Sequence, residues 1–183
     1  IRWVRKNAQY LGIDPNKIIS SGGSAGGHLA AATGTIKLFD EENEDLNISS
    51  KPNAMILFNP AVITASVNQY KIKETREKRN KEFIGVDPAL FSPYNYIDKE
   101  TPPTIIFHGD SDTTVDPQMV ILFNSKMEMS NIFCKLFIYE GEDHGFFNYG
   151  RKLNGAFIDT VNKMDNFLVE LGYIKAPPKS ILK

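Results

Sequence analysis

The amino-acid sequence predicts an α/β fold, a mostly parallel sheet with helices on both faces. Short apolar or β-branched runs alternate with longer stretches of helical periodicity, and strands that alternate with helices imply crossover connections and parallel pairing. The 183 residues, 42% hydrophobic and 23% charged, have the balance of one folded domain with enough apolar material for a core.

The elements follow in order. Val4, Ala8 and Leu11 recur at helical spacing from Ile1 to Leu11, and Gly12 with Asp14-Pro15 supplies a stop and a turn. Lys17-Ile18-Ile19-Ser20 is too short for a helix and reads as a buried strand ended by Gly22-Gly23. An alanine-rich stretch predicts a helix over Ala25–Phe39, and the acidic run Asp40–Asp45 a solvated loop. A second strand covers Ala54–Asn59. Between Tyr70 and Glu82 lie six basic and three acidic residues. Glu74 and Lys78, and Glu77 and Lys81, have the spacing of helix salt bridges, so this is an exposed helix rather than a nucleic-acid patch.

The prolines at 88, 93, 102 and 103 make a loop leading to a third strand, Thr104–His108. Asp116-Pro117 starts a helix whose apolar stripe is Met119, Val120, Phe123 and Met127, ending near Asn131. A fourth strand spans Lys135–Tyr139. A last amphipathic helix uses Ile158, Val161, Met164, Leu168 and Leu171 before Gly172, and a polar tail occupies 175–183.

Composition excludes several classes of function. Lys plus Arg number 21 and Asp plus Glu 22, for a formal net charge of -1, so no long-range positive field gathers nucleic acid or anionic lipid. No apolar run approaches the roughly 18 residues of a membrane span, so a soluble chain is expected. Cys134 is the single cysteine, which excludes an internal disulfide and a multi-cysteine zinc site and is compatible with cytoplasm and periplasm alike. Beside Phe133 and Leu136 it reads as a buried, inert thiol.

The chemistry is concentrated where strands end, since in parallel sheets reactive groups collect on loops at the carboxyl ends of strands. Gly22-Gly23-Ser24-Ala25-Gly26 is a G-x-S-x-G sequence between a strand and a helix, the context that makes this motif informative. Ser24 is expected on a turn so sharp that Gly22 and Gly26 crowd together, with the Ala25 N–H at the helix N-terminus ready to receive an oxyanion. A phosphate cradle of the P-loop kind would need a lysine after the glycines, and none occurs.

A serine hydroxyl needs a neutral imidazole to take its proton and a carboxylate to hold that imidazole. His144 lies between Gly141 and Gly145, just past the fourth strand, and is the predicted base. His28, one turn beyond Ser24, reads as a packed structural residue, and His108 at the end of the third strand as a hydrogen-bonded core histidine. Of three aspartates after that strand, Asp116 is explained by capping. Asp112, mid-loop, is the first choice for the acid and Asp110 the reserve. The chain order Ser, Asp, His is that of the α/β-hydrolase arrangement.

Gly22 to Ala30, the segment His108-Gly109-x-x-Asp112-x-x-Val115 and Asp143-His144-Gly145-Phe146 together resemble the α/β-hydrolase esterase/lipase family, and within it bacterial acetyl-esterases and carbohydrate (xylan) esterases. The resemblance covers the chain from Ile1 to about Tyr173. It implies a catalytic domain over 1–174 with an insertion at 64–96 near the site, and hydrolysis of a small-molecule ester by a chemistry that requires neither metal nor cofactor. It favours a short acyl group, with acetate on a sugar as one substrate. It also implies a His-Gly-Gly oxyanion loop upstream of the serine and opening strands of the sheet, whereas 23 residues precede Ser24. The chain is therefore expected to be the C-terminal part of a longer hydrolase, feeble in isolation because a lost oxyanion donor costs roughly 100-fold to 1000-fold.

Within the insertion, Phe83, Phe91, Tyr94 and Tyr96 are candidates for the wall of a substrate pocket or for core. Since free imidazole protonates near pH 6.5, activity is expected to fall on the acid side of roughly that value. Two rival readings share the fold: a prolyl-oligopeptidase-like peptidase, disfavoured by Ala25 where an aromatic residue is frequent, and a binding module that has lost catalysis.

Overall fold

A computed structural model of the chain describes residues 1–176; of the polar tail, 177–183 lie outside the described residues. The first helical segment is broken in two, α1 (Arg2–Lys6) and α2 (Ala8–Leu11). The Asn7 side chain donates to the Trp3 carbonyl at 2.8 Å, the local competition that makes asparagine unfavourable in a helix interior. Gly12 then takes a left-handed conformation, φ 67°, that closes α2.

Strand β1 runs from Ile19 to Gly23, two residues later than the β-branched run suggests. The N–H of Ile18 is taken by Asn53 Oδ1 at 3.1 Å, and Gly22 and Gly23 stay in the ladder opposite Leu57 and Phe58. Helix α3 covers Ala25–Thr35 and stops four residues short of Phe39, where Ile36 turns to an extended backbone. Strand β2 is Ala54–Phe58.

Helix α4, Glu74–Ile84, buries none of its residues. The expected Glu74–Lys78 and Glu77–Lys81 pairs are not formed among the described residues. Glu77 instead accepts from the Ser66 N–H and hydroxyl at 3.4 and 3.3 Å, a neighbour that helical spacing does not reveal. Two short 3₁₀ turns, Pro88–Phe91 and Pro93–Tyr96, lead to β3, Thr104–Gly109. Helix α5 (Gln118–Met129), strand β4 (Cys134–Tyr139) and helix α6 (Gly155–Glu170) complete the order.

The four strands form one parallel sheet in the order β1-β2-β3-β4. Its side chains alternate between two cores. Met55, Leu57 and Ile106 meet Ala30 and Ala31 of α3 and Met119, Val120, Phe123 and Met127 of α5 on one face. Ala54, Ile56, Ile105 and Phe107 meet Phe167 of α6 and Phe146 on the other. Phe167, absent from the predicted stripe of α6, is fully buried there. All strands point the same way, so their carboxyl ends, and the loops that leave them, are gathered at one edge.

Candidate active site

Ser24 joins β1 to α3 with φ 56° and ψ -118°, a left-handed backbone that costs a non-glycine residue roughly 1–3 kcal/mol and persists only when its surroundings hold it. Two hydrogen bonds do so: the Ser24 N–H donates to the Phe58 carbonyl at the end of β2, and the Ser24 carbonyl accepts from the His28 N–H, both at 2.9 Å. A Cβ on Gly22 would lie 2.4 Å from the carbonyl carbon of Gly26, so the turn closes only without a side chain there. Gly26 corrects the expectation, since a Cβ on it would meet nothing within 4 Å: it is the backbone of Gly26, not its missing side chain, that fills the space. Gly27 is the tighter position, its Cβ falling 2.9 Å from the Gly22 carbonyl oxygen and 3.0 Å from Pro60. Ala25 is exposed, and as the first residue of α3 its N–H has no helical acceptor.

His144 lies between the other two predicted residues. Its Nε2 is 3.0 Å from Ser24 Oγ and its Nδ1 is 2.7 Å from Asp112 Oδ2. An ionised carboxylate only accepts, so Nδ1 carries the hydrogen and Nε2 turns its lone pair toward the serine hydroxyl. The loop is held around the ring: Arg151 donates to the His144 carbonyl at 2.9 Å and pairs with Asp143 at 2.9 Å, and Gly145 bends the chain at φ 77°.

The two candidate acids are separated by what they touch. Asp110 Oδ1 accepts from the Gly141 N–H at 2.8 Å and from Ser111 Oγ at 3.0 Å, tying the loop after β3 to the loop after β4. Asp112, with its side chain fully buried, reaches His144 and also accepts from the N–H groups of Thr114 and Val115 at 2.8 and 2.9 Å. Burial pushes its carboxyl pKa up, but the hydrogen bonds from Val115, His144 and Thr114 outweigh it and hold the group below the usual carboxylate range. Gly109 permits this crossing of loops, since a Cβ there would sit 2.2 Å from the Glu142 carbonyl oxygen.

His28 is buried, with Nδ1 2.8 Å from the Ala61 carbonyl oxygen and its ring 4.7 Å from that of Phe91, the packed position expected of it. His108 has Nε2 3.0 Å from the Val115 carbonyl oxygen and is also close to Asp112, which its place at a strand end does not reveal. Burial lowers the pKa of both rings. The same effect pushes the Cys134 thiol up to about 12. Of the insertion's aromatics, Tyr94 packs against the core, but Phe83 is 92% exposed and is neither core nor wall, because α4 faces solvent.

Asn59 was not singled out by its sequence. It directly follows β2 with a left-handed φ of 33°, is 1% exposed, and its Oδ1 accepts from the Gly145 N–H at 3.3 Å. The only local signal is an asparagine, tolerant of positive φ, directly after a strand. Among the described residues, no His, Cys, Asp or Glu cluster is arranged to hold a metal ion and no helix is long and apolar enough to cross a membrane.

Comparison with known proteins bears on this arrangement. The profile of the BD-FAE family matches residues 1–127, a span that includes Ser24 and Asp112. An acetylxylan esterase of Xylanibacter ruminicola is 31% identical over 155 residues, 79% of this chain and 29% of its own length. A thermophilic esterase from Thermogutta terrifontis in its propionate-bound form is 45% identical with a TM-score of 0.88, over 98% of this chain and 64% of that one. Its butyrate-bound form gives 44% and 0.88, over 97% and 64%. The chain thus spans less than a third of the curated relative and just under two thirds of the solved structures.

Proposed function

The chain belongs to the BD-FAE family of α/β-hydrolase esterases, and on that premise we propose that it hydrolyses short-chain carboxylic esters through a Ser24, His144 and Asp112 triad and an acyl-enzyme. The observation that carries this reading is the unbroken hydrogen-bonded line from Ser24 Oγ through His144 to Asp112 Oδ2, at 3.0 and 2.7 Å.

In the first step Ser24 Oγ bonds to the ester carbonyl carbon as its proton passes to His144 Nε2, and the carbonyl π pair moves onto oxygen. The Ala25 N–H donates to that oxyanion, in the positive end of the α3 dipole. The imidazolium is paired with a carboxylate that hydrogen bonds from the Thr114 and Val115 N–H groups and from His144 keep ionised. When the tetrahedral adduct collapses, the alcohol leaves with the proton from Nε2. A water molecule then repeats the sequence on the acyl-serine, returning its proton to Ser24 Oγ through His144 and releasing the acid.

Residues 1–174 form the catalytic unit of this reading, and the 64–96 insertion lies beside the site. Tyr70 Oη donates to Asp116 Oδ2 at 2.9 Å and Arg76 to the Thr114 carbonyl at 3.2 Å, fastening that insertion to the loop that bears Asp112. A small acyl group is supported by the propionate and butyrate bound to the Thermogutta esterase, and acetate on a carbohydrate by the name of the Xylanibacter relative.

Treatment of the full-length protein with a fluorophosphonate, followed by peptide mapping, is expected to label Ser24. Ser24→Ala is expected to abolish p-nitrophenyl acetate cleavage while leaving the circular dichroism spectrum unchanged. Cleavage that survives this substitution removes the reading. Acetate release from acetylated xylan, compared with cleavage of butyrate and octanoate esters, tests the substrate class.

A further inference from the structure

Asp112 has a second imidazole against it. His108, in the last turn of the β3 ladder and fully buried, places Nε2 3.3 Å from Asp112 Oδ2, the same oxygen that His144 Nδ1 meets at 2.7 Å. The same Nε2 is 3.0 Å from the Val115 carbonyl oxygen. Both of these neighbours are acceptors, so Nε2 carries the hydrogen, bonded to the Val115 carbonyl with the Asp112 carboxylate in close electrostatic contact beside it. Nδ1 is buried without a hydrogen-bond partner among the described residues. A hydrogen placed there would be stranded, at the cost of an unsatisfied donor, so the ring is the neutral Nε2–H tautomer.

We infer that His108 is a positioning residue for the acid, its Nε2–H holding Asp112 Oδ2 in line with His144 Nδ1. The inference rests on the reading of Ser24, His144 and Asp112 as the reacting triad. Without His108, Thr114 and Val115 hold Oδ1 and among the described residues Oδ2 meets only His144, the ring it is meant to orient, while the torsion that swings Oδ2 is a broad one for aspartate. With it, Val115 grips both partners: its N–H holds Oδ1 and its carbonyl holds the His108 ring. The clamp is built on the sheet, since His108 pairs in register with Ile138 of β4, whereas Asp112 itself is in a loop. His108 takes no proton from the serine, because its only hydrogen-bearing nitrogen faces Asp112 and its other nitrogen faces no partner.

His108→Phe keeps a planar aromatic ring and removes the donor. Measured on the full-length protein and normalised to fluorophosphonate-reactive serine, its kcat is expected to fall about 10-fold to 100-fold, the effect of one hydrogen bond to a charged group, with KM within about twofold. His108→Gln, which carries an N–H at similar reach, is expected to recover most of that loss; a merely structural role would affect both variants alike and leave kcat per active serine unchanged. An unchanged kcat in His108→Phe overturns the inference. Should that variant not fold, ¹⁵N-histidine NMR of the unmodified protein decides: a neutral His108 protonated at Nε2 is expected, and a hydrogen on Nδ1 overturns it. Ser24→Ala is assayed in parallel, so that cleavage surviving there removes the triad reading itself, whereas a dead Ser24→Ala beside an unaffected His108→Phe removes only the role of His108.

Discussion

The backbone of Gly26 approaches Gly22 so closely that a side chain on Gly22 would put its Cβ 2.4 and 2.5 Å from the Gly26 carbonyl carbon and oxygen, while a side chain on Gly26 would point into open space. The two glycines of one motif therefore answer to different constraints. Gly22→Ala is expected to destabilise the protein by about 3 kcal/mol or more, as forced overpacking against rigid backbone does, and to abolish fluorophosphonate labelling at Ser24. Gly26→Ala, in the first turn of α3, is expected to leave stability within about 1 kcal/mol. Urea denaturation of the two variants checks the asymmetry, and equal losses would contradict it.

Asp112 and Asp110 are separable by mutation. Asp112→Asn keeps the shape but leaves His144 Nδ1 without a carboxylate, and kcat is expected to fall by about 10⁴, the magnitude found when a triad acid becomes an amide. Asp110→Asn weakens the Gly141 contact between two loops and is expected to cost roughly 1–2 kcal/mol of stability with kcat within a few-fold. Steady-state kinetics with a chromogenic ester distinguishes them.

Asn59 supports His144 through Gly145 and does so from a left-handed backbone. Asn59→Ala is expected to lose both stability, by about 1–2 kcal/mol, and kcat. Asn59→Gly relieves the backbone but not the missing acceptor, so it is expected to regain stability without regaining kcat. Recovery of both would show that the Gly145 contact does nothing for turnover.

Stability is expected to decline on the acid side of neutrality. Burial lowers the pKa of His28 and His108 in the folded protein, while the same rings in the unfolded chain protonate near pH 6.5. Below that value the unfolded state binds more protons than the folded one, so stability is full above about pH 6.5 and is lost as pH falls, by roughly 1 kcal/mol per ring per pH unit. Asp112 adds a second decline at lower pH, when its depressed carboxyl finally protonates. Thermal melts from pH 7.5 to 5.0 are expected to show a falling Tm, with a shallower slope in His28→Gln; a flat profile would contradict the buried neutral rings.

The Cys134 thiol, pushed up to about 12 by burial first and by Glu128 second, is expected to resist iodoacetamide at pH 8 in the folded protein and to react fully in guanidinium chloride. Mass spectrometry of the two samples checks this.

The sequence by itself determined the succession of strands and helices, the apolar stripe of α5 and the placing of Ser24 between a strand and a helix, because these are local matters of periodicity, turn chemistry and capping within a few residues. Only the tertiary structure decided what crosses the chain. Ser24 and His144 are 120 residues apart yet 3.0 Å from one another, and Asp110 and Asp112, equivalent as loop residues, differ in that one reaches Gly141 and the other His144. The extension of β1 through Gly23 required Phe58 opposite it, the exposure of Phe83 followed from its place on α4, none of whose residues is buried, and the contact of His108 with Asp112 required the loop after β3 to fold back over the strand end. Side chains of one type differ in role only through neighbours that the packing of the sheet brings to them, and those neighbours are set by the whole chain's burial of its apolar surface rather than by any one segment.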